Sequence, residues 1–477
     1  MKSLLLVLII IPQFLMSQTW EWAQRLDATI GTYTTNDLCV DQVGNIYAIC
    51  QGSGYLAKVI KYTGEGQLLW SRNLWTGRVN SIDVDADGHL YMVGDSSSIS
   101  MLVKYDTSGN LIWKILGNTG SVNGVAANSD GSFYVTSHSS LISKFDSAGN
   151  HFWSRFANAT GIAVCSDNAG NCYITGKFSD TALLGAFQLI ARGKEDVFIA
   201  KYNPWGQCVW AKRAGGDRFG FYSEDCGIAI ASDRLGNIYV TGSIVDTADF
   251  DSYNLIASNN DVFIAKCDTN GNVLWLNQAK GGSDQEGRSI AVDKHGNVLV
   301  GGAFVPYIEF DGNWISGWNH YDAFLATYDS AGNFMTVVKA GGSSWNDYIN
   351  GIAIDGDGNT YVTGKYSGTA YFESDSLTGS GTFIGKIDQT TNIEKSTGQT
   401  PRVNTFPNPT HGSFYVQVET AKELYVVTIT DIVGKLIVEQ YSSTSSLHKF
   451  EGFSSGTYFI TITDRFNSSV TRKLVVL

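Results

Sequence analysis

The chain has 477 residues, a formal net charge of −12, 52 glycines and 6 prolines. An acidic chain without a basic stripe excludes nucleic acid as a partner, because phosphate backbones demand clustered lysine and arginine. The cysteines, at 39, 50, 165, 172, 208, 226 and 267, are odd in number and lack zinc-site spacing. They read as small core residues, with one Cys165–Cys172 disulfide as the alternative, and neither a metal nor any other cofactor is expected.

In chain order, residues 1–17 open with a basic Met-Lys-Ser and continue as an apolar run over 4–11, too short to span a bilayer. This is a secretory signal peptide by pattern, with Leu15 and Ser17 placed for cleavage before Gln18. No cysteine follows to receive a lipid, and no later stretch is apolar enough for a transmembrane helix in the mature protein.

From residue 18 to 395 the chain alternates two turn motifs. The first is clearest at 355–364, Asp-Gly-Asp-Gly-Asn-Thr-Tyr-Val-Thr-Gly, and occurs seven times in all, with turn glycines at 44, 88, 131, 170, 236, 296 and 358. The second follows a Lys-Tyr-Asp-like run and usually precedes a Trp, as at Lys104 to Trp113, Lys144 to Trp153, Lys201 to Trp210 and Lys266 to Trp275. Each motif joins two runs rich in β-branched and aromatic residues, so each is a hairpin. Two hairpins make a four-stranded unit, and seven units predict an all-β, seven-bladed β-propeller. Ala163, Ala229, Ala291 and Ala353 fall in the first strand, where strands crowd near an axis, and the Trp residues fall in the fourth. The last unit lacks its Trp, while Trp22-Ala-Gln-Arg25 mirrors Trp210-Ala-Lys-Arg213, so the N-terminal strand is expected to complete it and remove an edge.

Units spaced at 44, 43 and 39 residues are followed by units at 66, 60 and 62. The later units carry insertions between the second and third strands, expected to project from one face of the disk. Within and beside them, Trp314, Trp318, His320, Tyr321 and Trp345 offer either a stacking surface for a glycan or protein ligand or packing onto their own blade. Lysines 61, 104, 144, 201, 266 and 386 recur at one place and are expected at a solvated outer position. The acidic turns at 83–88 and 355–358 lack the ligand pattern of a calcium loop, with Gly94 and Tyr91 where acidic ligands would stand. The long units, with Thr247-Ala-Asp-Phe250, Asp261-Val-Phe-Ile-Ala-Lys266 and Gly281-Gly282, resemble the bacterial β-propeller family known by its SBBP repeats, over roughly residues 19–394. Asp146-Ser-Ala, Asp180-Thr-Ala, Asp246-Thr-Ala and Asp329-Ser-Ala resemble a short bacterial O-glycosylation sequon and are also plain turn chemistry.

After a polar linker at 396–403, residues 404–477 change character and read as a small β-sandwich. Pro407, Asn408, Pro409, Gly412, Asp431, Gly434, Gly456, Tyr458 and Lys473 carry a resemblance to the type A C-terminal sorting domain of the type IX secretion system of Bacteroidetes-type bacteria. That resemblance implies interaction with the secretion machinery, passage across the outer membrane, removal of the tail, and release or attachment to surface lipopolysaccharide. Within the tail, Gly452-Phe-Ser-Ser-Gly456 imitates a nucleophile elbow without the α/β context that motif needs. No carboxylate pair or Ser/His/Asp set can be assigned from sequence, so the expected function is a secreted or cell-surface binding module and not an enzyme. The alternative is an enzyme, for instance polysaccharide-active, using the propeller funnel.

Overall fold

The computed structural model describes residues 18–26, 35–388 with breaks at 53–55, 98, 118–120, 139, 217–223, 319, 343 and 374, and within the tail 402–406, 413–419, 425–432, 435–442, 447–464 and 469–477. The expected signal peptide at 1–17 and most of the linker at 396–403 lie outside these residues. The chain divides into two compact units, Met1–Thr391 and Asn392–Leu477. Among the described residues the fold is all-β, without a helix.

In the first unit the strands fall into antiparallel groups of four, here called sheets and numbered 1 to 7 by first strand: Thr35–Val40, Arg78–Val84, Val122–Ala127, Thr160–Ser166, Cys226–Ser232, Gln285–Val292 and Tyr348–Ile354; sheets 4 and 5 are joined, with the hairpin at 307–316, in one ten-stranded sheet, and the other five are separate. First strands pack on one another from sheet 1 through sheet 7, and sheet 7 packs back on sheet 1. They run close: a Cβ added at Gly124 would stand 3.1 Å from the Ile162 carbonyl oxygen. The turn motif has a direct cause. Asp167 Oδ1 accepts from the amides of Ala169 and Asn171, each at 2.9 Å, Oδ2 accepts from Asn171 Nδ2 and the Tyr173 hydroxyl, and Gly170 takes a φ of +74° that other residues resist.

Adjacent sheets are clasped by a Tyr, a Lys and a Trp. Tyr91 and Lys104 are cross-strand partners in sheet 2, with Nζ 4.7 Å from the ring centroid. Lys104 Nζ also donates to the Ser147 carbonyl in sheet 3 at 3.4 Å, and Trp113 Nε1 donates to the same oxygen at 3.1 Å. The pattern repeats with Lys144 and Trp153 on the Pro204 carbonyl, Lys201 and Trp210 on Thr269, and Lys266 and Trp275 on Ser330. The lysines therefore do not occupy the expected solvated position. Lys61, Lys104, Lys144, Lys266 and Lys386 are buried, because a ring face, a carbonyl or a carboxylate replaces the lost water.

The insertions also depart from expectation. They do not simply project from a face but fold back toward the preceding sheet. The far end of the Ile238–Phe250 and Tyr253–Cys267 hairpin pairs with the fourth strand of sheet 4, Ala214 opposite Phe250, and Tyr307–Phe310 pairs with the fourth strand of sheet 5, Lys280 opposite Glu309. These pairings satisfy backbone groups that an edge would leave open. The cysteines are free among the described residues. No Cys165–Cys172 bridge forms because Cys165 lies opposite Tyr173 and Cys172 opposite Ser166, a one-residue offset that sends the thiols to opposite faces.

Thr19–Arg25 completes sheet 7, with Trp22 opposite Lys386 as Trp210 is opposite Lys201. Trp20 is buried edge-on against Phe372 at 4.8 Å, and its Nε1 donates to the Lys339 carbonyl of sheet 6 at 3.3 Å. In the second unit, Arg402–Phe406, Ser413–Glu419 and Leu447–Glu451 form one sheet and four further strands form another, around a cluster that includes Phe414, Val427, Ile460 and Leu474. Replacing Trp20 by Ala should destabilise the first unit by about 3–5 kcal/mol, the usual loss for a buried Trp. Urea unfolding followed by tryptophan fluorescence checks this, and an unchanged midpoint would refute the closing role of that strand.

Candidate functional site

Corresponding positions of the seven first strands carry Asn36, Asn80, Asn123, Ile162, Ile228, Arg288 and Asn350, and all line one cavity of about 310 Å³. The asparagines bridge sheets. Asn36 Nδ2 donates to the Val79 carbonyl, Asn80 Nδ2 to Val122 at 2.5 Å, and Asn123 Nδ2 to Gly161 at 2.7 Å. Sheets 4 and 5 contribute Ile162, Val164, Ile228 and Ile230 instead, so the cavity has a polar arc facing an apolar one.

Two carboxyl groups lie in the polar arc. Burial pushes Asp37 up to about 7, against the hydrogen bonds from Ser81 Oγ and the amides of Ile82 and Leu38, with Asp83 adding repulsion. Burial likewise raises Asp83 to about 6, against the amides of Ala127 and Val84, each donating at 2.8 Å. Sequence reading missed this pair, because its members sit on different sheets and at different positions of the repeat. Each carboxylate oxygen is already engaged with a backbone amide or a hydroxyl.

On the side of sheets 6 and 7 the cavity-lining Arg288 reaches aromatic side chains outside the lining. Arg288 Nε donates to Asn350 Oδ1 at 2.8 Å, its guanidinium lies 4.8 Å from the Tyr348 ring centroid, and NH1 pairs with Glu286 at 2.6 Å. Tyr348 lies 5.5 Å from Tyr321, and the neighbouring His320 stacks on Trp345 at 5.8 Å and 24°. The backbone joins the same loops, since Asp347 N donates to the Tyr321 carbonyl at 2.7 Å. Of the sequence candidates, Tyr321 and Trp345 thus meet in one cluster, Trp345 being 74 % exposed. Trp318 is exposed in the same loop as Tyr321, its amide donating to Asp322 at 2.7 Å. Trp314 is elsewhere, against Tyr307 on the inserted hairpin at 5.3 Å. Arg288 and Tyr348 were not singled out from sequence; aligning the first strands shows Arg288 as the one charged residue at its position.

In the tail, Asp431 Oδ1 accepts from the Lys435 amide at 2.9 Å in a turn, Gly456 and Tyr458 lie on the strand Gly456–Asp464, and Lys473 lies on Ser469–Val476. Pro407, Asn408, Pro409, Gly412 and Gly434 lie outside the described residues. Gly452 has a φ of +83° and Ser454 sits in the turn before a strand, which is not a strand-to-helix elbow.

Residues 404–477 match the family described as the secretion system C-terminal sorting domain, and residues 340–365 match a β-propeller repeat family. The chain carries β-propeller repeat sequence and ends in a type IX sorting domain. An uncharacterised WD repeat-containing protein of Acanthamoeba polyphaga mimivirus is 24 % identical over 304 residues, covering 50 % of this chain and 22 % of that protein. A regulatory protein, FlaEY, of Caulobacter vibrioides is 25 % identical over 197 residues, covering 39 % of this chain and 20 % of that protein. The chain therefore spans about a fifth of the length of these relatives. A solved structure of a protein of unknown function from Bacteroides caccae is similar over 54 % of this chain and 84 % of its own, at 14 % identity and a TM-score of 0.34.

The propeller-repeat match spans a Gly-Gly…Asp arrangement with a physical role. Asp347 Oδ2 accepts from the Gly342 amide at 3.1 Å and Oδ1 from the Ser367 amide at 2.7 Å. Asp225 does the same for Gly216 and Val245, and Gln285 is the neutral equivalent in sheet 6, donating to the Val305 carbonyl at 3.1 Å. Burial pushes both Asp225 and Asp347 up to about 7. A carboxyl raised from about 4 in the unfolded chain holds its proton longer when folded, so its stabilising contribution is complete below about pH 4 and is lost as pH rises through 7. Thermal midpoints of Asp347→Asn should consequently fall less between pH 4 and 7.5 than those of the parent; parallel pH profiles would refute this.

Proposed function

We propose that the chain is a secreted or cell-surface binding module without catalytic activity. In this reading the first unit is a seven-bladed β-propeller and the tail a small β-sandwich, and residues 1–17 are a signal peptide. The ligand, a glycan or a protein, is contacted at the cavity mouth beside sheets 6 and 7. The observation that carries the reading is the continuous contact from exposed Trp345 and His320 through Tyr321 and Tyr348 to cavity-lining Arg288. Exposed aromatic side chains beside an arginine are the residue types that anchor recognition surfaces. The repeated asparagines in the cavity wall support a scaffold role, since they serve the junctions between sheets. Attachment to surface lipopolysaccharide after removal of the tail belongs to the same reading.

The alternative is an enzyme working in the funnel, and one feature favours it: burial pushes the carboxyl groups of Asp37 and Asp83, in one cavity, up to about 7 and about 6. Paired carboxyl groups near neutrality are what acid–base chemistry uses. Their engagement with backbone amides of the next sheet supports a junction role instead.

A screen of the mature protein against immobilised glycans and surface extracts tests the binding reading. A ligand held at the mouth should be lost or weakened by about 2 kcal/mol or more in Trp345→Ala or Tyr321→Ala. Retention unchanged in both variants would remove the mouth as the contact surface. Turnover of a glycan by the parent that disappears in Asp37→Asn would establish the enzyme instead.

The tail supplies the address for type IX export. Removing residues 404–477 should leave a folded first unit that accumulates in the periplasm, read by fractionating cells that express the full and shortened chains. Equal amounts of both outside the cell would show that the tail is not required.

A further inference from the structure

We infer that the groove where the inserted hairpin of sheet 6 meets the outer strand of sheet 5 binds a saccharide, with Trp314 as its stacking platform. This adds a second contact surface, with its ligand class, to the binding-module reading and does not depend on the cavity mouth.

The groove arises from the way that hairpin folds back. Lys280, Glu309 and Trp314 lie directly opposite one another on three neighbouring strands, so their side chains share one face. Ile308 and Phe310 alternate to the other face and are fully buried, which fixes the register that turns Glu309 and Trp314 outward. Beside this row is a cavity of about 400 Å³, within the range typical of small-ligand sites, roughly 300–1,000 Å³. Asn277, Lys280, Glu309 and Asp311 all line it.

Much of the polar capacity in this groove is unspent. Glu309 takes the Gly312 amide on Oε1 at 3.1 Å, which leaves Oε2. Asn277 donates its amide to the Gly332 carbonyl at 2.6 Å, which leaves its oxygen. Lys280 is exposed on the outer strand. The set thus mixes one cationic donor with several acceptors. A hydroxyl can give its hydrogen to a carboxylate and take one from an ammonium, so a polyhydroxylated ligand matches both halves. A phosphate meets Glu309 and Asp311. A metal ion lacks ligands, since no group of three His, Cys, Asp or Glu able to hold one occurs among the described residues. An apolar ligand finds a largely polar lining.

The platform completes the match. Trp314 is 60 % exposed and lies 5.3 Å from Tyr307 at 48° between planes, so the pair forms an aromatic wall beside the polar row. Sugar rings present a C–H face that packs on such a surface while their hydroxyls reach the groove.

The test is titration calorimetry of the mature protein with neutral hexaoses of glucose, xylose, mannose and N-acetylglucosamine. At least one should bind, Trp314→Ala should weaken that binding at least about tenfold, as removal of an aromatic anchor does, and Glu309→Gln should weaken it as well. Trp205→Ala, at an exposed tryptophan outside this groove, should leave it unchanged, and thermal midpoints of the surface variants should match the parent. Binding of none of the four, or binding that survives both Trp314→Ala and Glu309→Gln, would overturn the proposal. Loss in Trp345→Ala with retention in Trp314→Ala would also overturn it, placing the sugar at the mouth and leaving the binding-module reading intact.

Discussion

The lysine ammonium laid over the tyrosine ring of the neighbouring strand is the interaction on which the repeat depends. Cross-strand register makes these pairs: Tyr47 with Lys61, Tyr91 with Lys104, Tyr134 with Lys144, Tyr173 with Lys201 and Tyr239 with Lys266. Each tyrosine hydroxyl is held in turn, by the turn aspartate for Tyr47, Tyr91, Tyr173 and Tyr239 and by the Gly170 carbonyl for Tyr134. One set of side chains thereby links the turn of a sheet, its ring and the turn of the next sheet. A cation–π contact shielded from water is worth about 2 kcal/mol or more, and here it recurs around the unit. Sheet 6 tests the logic. It has Leu299 in place of the tyrosine and Thr327 in place of the lysine, and Thr327 hydrogen-bonds Gln18 at 2.9 Å instead. Both partners are absent together, at the junction that receives the N-terminal segment.

Edges are managed by the same economy. A radial set of sheets leaves each fourth strand unpaired on its outer side. In the longer repeats the next sheet's inserted hairpin reaches back onto the end of that strand, through two residue pairs at sheet 4, three at sheet 5 and the Gly341–Tyr371 bridge at sheet 6. The corner that starts an inserted hairpin is the cis Val305–Pro306 bond in sheet 6 and a left-handed residue in the other three of the four cases. Asp180, Asp246 and Gly368 occupy it with φ of 54°, 64° and 69°. Asp180-Thr-Ala and Asp246-Thr-Ala are therefore explained as corners, while Asp146 and Asp329 cap tight turns through their own following amides.

Strand order, the turn chemistry and the contribution of Trp22 to the last sheet were legible in the sequence because each depends on local pattern. Asp-x-x-Gly-Asn specifies a turn wherever it stands, and alternation specifies which residues turn inward. The burial of the lysines was not legible, since sequence gives the charge of Lys104 but not the ring and carbonyl that replace its water. The back-folding of the insertions depends on a distant strand, Ala279 to Gly281 for the hairpin at 307–316, and no local signal encodes it. Asp37 and Asp83 were hidden for a related reason. They belong to different repeats, and their meeting is a property of the circuit of first strands, not of either segment.

Repetition also separates residues with a shared structural role from those without one. Residues that recur at one position, such as the four asparagines of the cavity wall, serve the junctions that recur with them. Departures from recurrence cannot be explained that way. Arg288 stands where other first strands carry Asn or Ile, and it joins Tyr348, Tyr321, His320 and Trp345 on one side of the cavity alone. Trp314 and Glu309 belong to an inserted hairpin that the three short repeats lack altogether. In the binding-module reading, the part of the molecule free to recognise a ligand is thus the part that the repeat does not need.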